Sequence, residues 1–314
     1  MATLITGGAG FIGSQLAIAL RAHGETVVLL DNFNSYYDPR IKRANVSIFA
    51  DDPNVTLIEG DVRDVALLDR VMTDHDIRRV AHLAGLAGVR ASMEECPLYV
   101  DVNVTGSVNM LDAARRHKIE SFIQASTSSV YGEAARVPFI ESDAADRPLS
   151  PYPATKRAAE ILGHSYHHLF GLNVTCLRFF NVYGPHGRPD MMPLRVMRAI
   201  MDDQPITLFN GGSLRRDWTY IADIVAGIAA ALNCPMGYEV INLGCGAPLA
   251  MTDFVDVIEQ LSGKLAIRVD VPAPPSDPSI TYCDNSRACR LLGFNPQTNV
   301  RDGLAKTWEW LQSR

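Results

Sequence analysis

Short apolar runs alternate with amphipathic segments along the first 180 residues of the chain. Six runs are rich in β-branched residues and predict strands, namely ATLIT, TVVLLD, VTLIEGD, RRVAHLA, SFIQAST and NVTCLRFFN. Between them, segments such as 11–22 and 97–116 carry apolar residues at helical spacing. Strands that alternate with helices pair in parallel and are covered on both faces. The pattern therefore predicts an α/β fold with a doubly wound parallel sheet.

The pattern changes beyond residue 180. Residues 184–220 are rich in proline, glycine and arginine, and one short strand is expected there, at PITLF. A helix at about 221–232 and the apolar strand YEVINLG follow, and the tail holds a proline-rich loop, VPAPPSDPS, before two short helices. We expect two domains. The larger comprises residues 1–180 plus about 219–246, and a smaller, discontinuous α/β domain comprises about 181–218 plus 247–314.

Composition narrows the class of protein. The chain has 314 residues, of which 47% are hydrophobic and 20% charged, as in globular proteins. A net charge of −6 argues against general nucleic-acid binding, which needs basic patches. The six cysteines include no C-x-x-C pair, so we expect reduced thiols and a cytoplasmic location. No apolar run approaches about 18 residues, so no membrane partner is expected.

The segment TGGAGFIG joins the first predicted strand to the first predicted helix. Gly7, Gly10 and Gly13 allow a tight turn and a close approach of the backbone to a pyrophosphate at the start of the helix. A plain tight turn is the alternative. However, Asp31 ends the second strand about 20 residues later, where a Rossmann-type site places the acid that binds the ribose. A carboxylate there repels the extra phosphate of NADP, so the segment predicts an NAD site.

The segment YPATK places Tyr152 and Lys156 four residues apart, on one face of a helix. An ammonium beside a phenol lowers the pKa of the phenol, which makes Tyr152 a candidate general base. A solvated helix face is the alternative. The pair follows the fifth predicted strand, whose carboxyl end carries the hydroxyl-rich turn STSSVYG, residues 126–132. Ligands of parallel sheets bind at that edge, so the position favours a catalytic pair.

Taken in order, the motifs resemble the extended short-chain dehydrogenase/reductase family, and within it the NAD-dependent sugar-nucleotide epimerases. The matching segments are TGGAGFIG, GDVRD, HLAG, VNVTG, STSSVYG, YPATK, LRFFNVYGP and RRDWTYIAD. Four further segments most resemble UDP-glucuronate 4-epimerases, namely YYDPRIKRAN, AGVRASME, KRAAEILGHSYHHLFGL and GPHGRPDM. The resemblance implies tightly bound NAD, a UDP-sugar substrate, and a homodimer formed through the helices near 97–116 and 152–170.

The resemblance also implies roles for individual residues. The catalytic set would be Thr127, Tyr152 and Lys156. Those expected at NAD are Gly7, Gly10, Phe11, Ile12, Gly13, Asp31, Asn32, Asn34, Ser35, Asp61, Val62, Leu83, Ala84, Gly85, Asn103, Tyr152 and Lys156. Those expected at the substrate are Val89, Arg90, Thr127, Ser128, Ser129, Tyr152, Asn181, Arg188, Phe209, Arg216 and Asp277. Arg216 would bind the diphosphate, and Arg90 and Arg188 would meet an acidic sugar. Many relatives carry an Arg-x-Gly-Asp loop where this chain has PPSDPSITY, which retains only Asp277 for the uridine ribose.

The hydroxyl turn separates reactions that share one oxidation step. Related UDP-glucuronate decarboxylases resemble T-S-E-V-Y-G here and the 4,6-dehydratases T-D-E-V-Y-G, whereas this chain has Ser128 and Ser129 in place of the acids. We therefore expect inversion at C4 of a UDP-hexuronic acid through a 4-keto sugar, without decarboxylation. Neutral hydroxyls and Arg188 would hold the sugar carboxylate out of the alignment in which CO2 leaves. A serine-rich strand end that satisfies its own backbone is the alternative.

Several other interpretations remain. A 4-epimerase of neutral UDP-hexoses is the nearest rival, followed by a UDP-glucuronate decarboxylase and a non-catalytic NAD-binding sensor. The segment HSYHH has metal-like helical spacing but no evident carboxylate or cysteine partner, so no metal site is expected. Lys42 and Arg43 are expected to be solvated charges.

Overall fold

The computed structural model of the protein describes residues 2–132, 136–274 and 277–314. In chain order, its strands are β1 Ala2–Thr6, β2 Thr26–Asp31, β3 Val55–Glu59, β4 Ile77–His82, β5 Ser121–Thr127, β6 Val174–Phe179, β7 Val182–Tyr183, β8 Pro205–Phe209, β9 Arg215–Asp217, β10 Thr219–Tyr220, β11 Tyr238–Leu243, β12 Pro248–Ala250, β13 Ile267–Val271 and β14 Ile280–Thr281. Its α-helices are α1 Phe11–Ala22, α2 Pro39–Val46, α3 Val65–Asp74, α4 Val89–Glu94, α5 Cys96–Val100, α6 Gly106–Arg116, α7 Pro151–Phe170, α8 Met192–Met201, α9 Ile221–Leu232, α10 Met251–Ser262, α11 Ser286–Leu292 and α12 Val300–Gln312.

Seven parallel strands form the central sheet in the order β11-β6-β5-β4-β1-β2-β3. The chain moves outward from β1 to β3 and then returns to β4 on the other side of β1. This reversal opens a crevice at the carboxyl ends of β1 and β4, where ligands of such sheets bind. The α/β, Rossmann-type, doubly wound sheet expected from the sequence is confirmed. Both parts of the larger predicted domain contribute strands, although the division into domains stays a prediction.

Alternate residues of the central strands enter two cores, one on each face of the sheet. Ile5 and Leu29 pack into the core that includes α1 and α9, whereas Leu4, Val28 and Leu30 pack into the core that includes α3 and α6. This alternation follows from the two-residue period of a strand. Because both faces are covered, the strands are continuous apolar runs in the sequence.

The helix expected over residues 97–116 is interrupted in the structure. A π-helical turn, Asp101–Thr105, separates α5 from α6. The turn carries Asn103, whose buried amide bonds to both the N–H and the carbonyl of Leu86 and to Thr155. Turns of this kind are frequent at functional sites, and apolar periodicity does not reveal them.

The region beyond residue 180 contains more regular structure than the sequence analysis expected. The structure has helix α8 and four strands between residues 182 and 220, where one strand was expected, and α10 was missed. Pro193 lies in the first turn of α8, where proline starts a helix instead of breaking it. Helix α12 has 13 residues, so it is not short. In the described ranges, no helix is both long and apolar enough to cross a membrane.

Candidate functional site

A cavity of about 420 Å³ lies at the carboxyl ends of the central strands, and we call it the first cavity. Most of the predicted site residues line it. They are Gly7, Gly10, Phe11, Ile12, Gly13, Asp31, Asn32, Asn34, Asp61, Val62, Leu83, Ala84, Gly85, Val89, Thr127, Ser128, Ser129, Tyr152, Lys156, Asn181 and Arg188. The fold thus brings together residues that are spread over 180 positions of the chain.

A second cavity, of about 580 Å³, adjoins the first, because Asn181, Asp190 and Met191 line both. The remaining predicted substrate residues line it, namely Arg90, Phe209, Arg216 and Asp277. The Arg90 guanidinium lies 5.3 Å from the centre of the Phe209 ring, and so it is in the second cavity, whereas Arg188 lines the first. Arg216 donates to Asp277 at 2.5 Å.

Two predicted cofactor residues, Ser35 and Asn103, line neither cavity. Ser35 is an exposed loop residue. Asn103 lies behind the first cavity, where its side chain holds the Leu86 backbone. Asn103 therefore supports the wall of the cavity and does not form it.

The glycine turn between β1 and α1 is a close-packed cradle. A Cβ at Gly7, whose φ is +68°, would lie 2.8 Å from the Ala84 nitrogen, and a Cβ at Gly13 would lie 2.2 Å from the Gly7 oxygen. Both contacts exclude any side chain. The helix begins at Gly10 without a side-chain cap, which leaves its first N–H groups available to an anion. The turn fits a pyrophosphate.

The end of β2 holds an acid and a base close together. Asp31 accepts from the backbone of Ala9 at 3.1 Å and of Phe33 at 2.8 Å. Lys42 lies 3.9 Å from Asp31 and donates to the carbonyl and side-chain oxygens of Asn34. The expectation that Lys42 is solvated is wrong, since it is only 5% exposed and burial lowers its pKa. Its helical spacing from buried residues three and four positions later was the missed signal.

Asp61 is held as an anion at the far end of the first cavity. Asn32 donates to Asp61 at 2.8 Å. The Arg63 guanidinium lowers the pKa of Asp61 to about 2. Val62 is buried beside it. An ionised acceptor next to an apolar side chain suits the edge and face of an adenine.

Helix α7 carries Tyr152 in its first turn and Lys156 one turn later. A Cβ added to Gly85 would lie 2.9 Å from the Lys156 Nζ, so the ammonium rests directly against the backbone of Gly85. Lys156 is 6% exposed, and burial lowers its pKa to about 8. A proton on Lys156 is therefore loosely held near neutral pH.

The Tyr152 phenol does not have the lowered pKa that the sequence argument expected. Burial raises its pKa, although a hydrogen bond with Thr127 and the positive charge of Arg188 oppose that rise. In the protein alone, the cost of burying a phenolate outweighs the nearby charges. A further positive charge in the first cavity would lower the pKa of Tyr152.

The hydroxyl turn divides into anchored and available side chains. Ser126 donates to Glu160 of α7 at 2.5 Å, and Glu160 accepts two bonds from Arg178 at 2.9 and 2.7 Å. Thr127 accepts from the Ser129 N–H at 3.2 Å. The Ser128 and Ser129 hydroxyls bond to no other residue in the described ranges, and both line the first cavity. The buried ion pair fixes the strand end, and two hydroxyls remain for a ligand.

Several lining residues were not assigned from the sequence. They include Tyr36, Tyr37, Lys42 and Asp190 in the first cavity and Arg195 and Arg198 in the second. Tyr36, Tyr37 and Asp190 lie in loops, where no periodicity indicates which side chains turn inward. The unusual pair of adjacent tyrosines before α2 was the signal available in the sequence.

The HSYHH segment lies on α7, outside both cavities. His164 packs on the Tyr238 ring with centroids 5.0 Å apart, and His167 bonds to the Leu172 carbonyl at 2.9 Å. Among the described residues, no three His, Cys, Asp or Glu side chains gather closely enough to hold a metal ion.

Comparison with known proteins agrees with this geometry. Residues 3–244 match the NAD dependent epimerase/dehydratase family. The chain is 40% identical to the UDP-glucuronate 4-epimerase of Thermodesulfobacterium geofontis over 98% of this chain and 95% of that protein. It superposes with a TM-score of 0.93 on the UDP-glucuronic acid 4-epimerase of Bacillus cereus, solved with UDP-glucuronic acid and NAD, at 35% identity over 100% and 99% of the two chains. The UDP-glucose 4-epimerase of Thermotoga maritima, solved with UDP-glucose, gives a TM-score of 0.91 at 28% identity over 100% and 99%. The expected cofactor, NAD, is confirmed, and the chain belongs to the NAD dependent epimerase/dehydratase family.

Proposed function

We propose that the protein is an isomerase that converts UDP-glucuronate to UDP-galacturonate by inverting C4 without loss of CO2. The observation that carries the proposal is a hydroxyl turn with no acid, facing a cavity that also holds Tyr152, Lys156 and Arg188. The similarity to UDP-glucuronate 4-epimerases supports the same substrate.

The first cavity has the features that NAD requires. The cradle of Gly7 and Gly13 suits the pyrophosphate, and Asp31 suits the adenosine ribose. Lys156, packed on Gly85, suits the nicotinamide half of the cofactor. When bound, NAD supplies a hydride acceptor at C4 of the sugar and a positive ring that favours the Tyr152 phenolate.

Tyr152 is the proposed general base for the sugar 4-hydroxyl. Thr127 and Arg188 both lower the pKa of the phenol and so favour its ionised form. Thr127 would then bond to the 4-oxygen and stabilise the charge that develops there. Lys156, one turn after Tyr152 on α7 and also lining the first cavity, is the proposed cation that favours the ionised phenol when the ligands are bound.

The sugar carboxylate decides which product forms. Oxidation at C4 makes a β-keto acid, which loses CO2 when the C5–C6 bond aligns with the carbonyl π system. Ser128, Ser129 and Arg188 offer hydrogen bonds that hold the carboxylate out of that alignment. A neutral UDP-hexose would leave the Arg188 guanidinium without an anionic partner in the ligand, which argues against the neutral-sugar alternative.

The second cavity is the proposed site for the UDP portion. Phe209 offers an apolar face for the uracil, and Asp277 offers an acceptor for the uridine ribose. Arg216, bonded to Asp277, is the proposed contact for the diphosphate. Asn181, which lines both cavities, would lie where the diphosphate meets the sugar.

An NMR time course tests the proposal. Purified protein, with no NAD added, is mixed with UDP-glucuronate in one tube and UDP-glucose in another. We expect UDP-galacturonate to appear in the first tube with no UDP-pentose, and the second tube to remain unchanged. UDP-pentose as the main product, or turnover of UDP-glucose alone, would overturn the proposal.

We also propose that the protein is a cytoplasmic homodimer. Exposed apolar side chains on α5 and α7 support the dimer, namely Leu98, Val100, Ile161, Leu169 and Phe170. The two helices contact each other, and a second copy would cover these exposed apolar side chains. The reduced state of six scattered cysteines fits the cytoplasm.

A further inference from the structure

The Arg188 guanidinium is bound along one edge only. Its Nε donates to one Asp190 oxygen at 3.0 Å and its Nη2 to the other at 2.6 Å. This pair uses Nε and Nη2 and leaves Nη1 outside it. The Arg188 side chain is 20% exposed, and both residues lie in the first cavity. An arginine has four rotatable side-chain bonds, so a single edge contact to a loop carboxylate does not fix the plane of the guanidinium.

The Arg188 guanidinium lies over the Tyr36 ring. The Tyr36 ring centre lies 5.2 Å from the Arg188 Cζ, within the range of a cation–π contact. Tyr36 comes from the loop between β2 and α2, whereas Arg188 comes from the loop after β7. The contact therefore joins two loops that are far apart in sequence, and both residues line the first cavity.

Tyr36 also packs against Gly88 and Tyr99, and Tyr99 lies next to Tyr152, the proposed general base. A Cβ added to Gly88 would lie 2.4 Å from the Tyr36 hydroxyl oxygen and 3.6 Å from that of Tyr99. Tyr99 donates to the Ala87 carbonyl at 2.9 Å, and its ring meets the Tyr152 ring edge-on with centroids 6.4 Å apart. Tyr36 is thus wedged between Arg188 on one side and the Gly88 and Tyr99 wall on the other.

We propose that Tyr36 is a positioning residue that fixes the plane of the Arg188 guanidinium and so limits decarboxylation of the 4-keto sugar. The proposal rests on the proposed function, since it needs a uronic acid substrate. Asp190 sets the edge of the guanidinium, and Tyr36 sets its face. With both in place, a carboxylate that bonds to Arg188 has one orientation about C5.

The side reaction that Tyr36 limits is the loss of CO2 from the 4-keto sugar. In the 4-keto sugar, the C5–C6 bond breaks, CO2 leaves, and the electron pair forms an enolate between C5 and the 4-oxygen. A proton from water then adds to C5 and gives a UDP-4-keto-pentose. This step needs no oxidant beyond the NAD that has already taken the hydride from C4. A guanidinium free to tilt lets the C5–C6 bond reach alignment more often, so CO2 release rises.

The test is the ratio of CO2 released to UDP-galacturonate formed, measured with UDP-[6-13C]glucuronate by NMR. Three variants are compared with the wild type: Tyr36→Leu removes the ring, Tyr36→Phe keeps the ring and loses the hydroxyl, and Arg188→Ala removes the guanidinium. We expect the ratio to rise about fivefold in Tyr36→Leu and to stay near the wild-type value in Tyr36→Phe. Loss of folded protein lowers both products equally, so a merely structural role leaves the ratio unchanged.

The outcomes distinguish a failure of the proposed role of Tyr36 from a failure of the proposed function. A raised ratio in Arg188→Ala with a wild-type ratio in Tyr36→Leu would overturn the role of Tyr36 and leave the proposed function intact. An unchanged ratio in Arg188→Ala would overturn the role of both side chains. No turnover of UDP-glucuronate by the wild type would overturn the proposed function itself. If Tyr36→Leu does not fold, Asp190→Asn, which weakens the edge contact, must raise the ratio, and a wild-type ratio there contradicts the proposal.

Discussion

Tyr152 and Lys156, the proposed catalytic pair, are both buried. Burial disfavours the charged form of each side chain. Burial raises the pKa of the phenol and lowers the pKa of the ammonium to about 8. At pH 7 the phenol of Tyr152 is therefore neutral, and Lys156 is still mostly protonated but loses its proton more readily than an exposed lysine. Such opposed shifts are typical of groups that exchange a proton during catalysis.

Replacing Tyr152 with phenylalanine removes the hydroxyl and keeps the ring against Tyr99. We expect kcat for C4 inversion to fall by about a thousandfold while NAD stays bound, because general base catalysis typically contributes this much. The same change at Tyr166, which packs on Phe170 of the same helix, is the control and keeps full activity. Activity of Tyr152→Phe within a few-fold of the wild type would remove Tyr152 as the base.

Replacing Lys156 with methionine tests the cost of the buried ammonium. Its pKa is about 8 in the folded protein against 10.5 when unperturbed, so below pH 8 both states are protonated and folding bears the full cost of burial. Between pH 8 and 10.5 the unfolded chain binds more protons, and the wild type gains stability as pH rises. In protein freed of NAD, we expect Lys156→Met to be the more stable by up to about 3 kcal/mol at pH 7.

Urea unfolding at pH 7 and pH 9.5 measures that difference. We expect the difference in the free energy of unfolding between Lys156→Met and the wild type to be smaller at pH 9.5 than at pH 7. Lys264→Met, at an exposed position, is the control and shifts stability little at either pH. If the two proteins have the same free energy of unfolding, or if the difference grows with pH, the lowered pKa of Lys156 is contradicted.

At the scale of elements, the sequence predicted the helices and strands whose apolar residues recur at a regular spacing. The bounds of α1 and α9 agree with the pattern to the residue, since each buries one apolar stripe. The π turn around Asn103 was not predicted, because a side chain that bonds to the backbone leaves no apolar period. Helix α8 was not predicted although Leu194, Met197 and Ile200 follow a helical period, because the region around it is rich in proline and glycine. The glycine turn was predicted from the spacing of its glycines. The structure explains why glycine is needed there, because Gly13 packs closely against Gly7.

Alanine substitutions in the glycine turn test the close packing of that element. A Cβ at Gly13 would lie 2.2 Å from the Gly7 oxygen, whereas a Cβ at Gly10 would lie 3.2 Å from the same atom. We expect Gly13→Ala to bind NAD about tenfold more weakly than the wild type, and Gly10→Ala to lose less. The measurement is NAD released per chain on denaturation, followed by titration of the emptied protein. Equal losses in the two variants would contradict the steric account.

At the scale of the whole molecule, the sheet gathers residues from distant loops into two adjoining cavities. The sequence motifs predicted the residues of the site, and 21 of those residues line the first cavity. The sequence did not predict Tyr36 and Asp190, since loop side chains acquire their neighbours only when the fold closes. Arg90 lies over Phe209 in the second cavity, and its predicted contact with an acidic sugar stays a prediction.

The apolar face of α5 and α7 predicts an assembly of two chains. Ile161 on α7 is 53% exposed, and a glutamate there would place a charge in the proposed interface. We expect Ile161→Glu to be a monomer and the wild type a dimer by light scattering. Leu265→Glu, at a position 84% exposed and outside these helices, is the matched control and stays dimeric. A monomeric wild type, or a dimeric Ile161→Glu, contradicts the assembly.

The most direct test of the central claim follows the hydrogen at C4. UDP-glucuronate carrying deuterium at C4 is incubated in ordinary water with the purified protein and no added NAD. Transient oxidation with return of the same hydride predicts UDP-galacturonate that retains deuterium at C4 and keeps its carboxylate. UDP-galacturonate with protium at C4, or a UDP-pentose as the main product, would contradict the account.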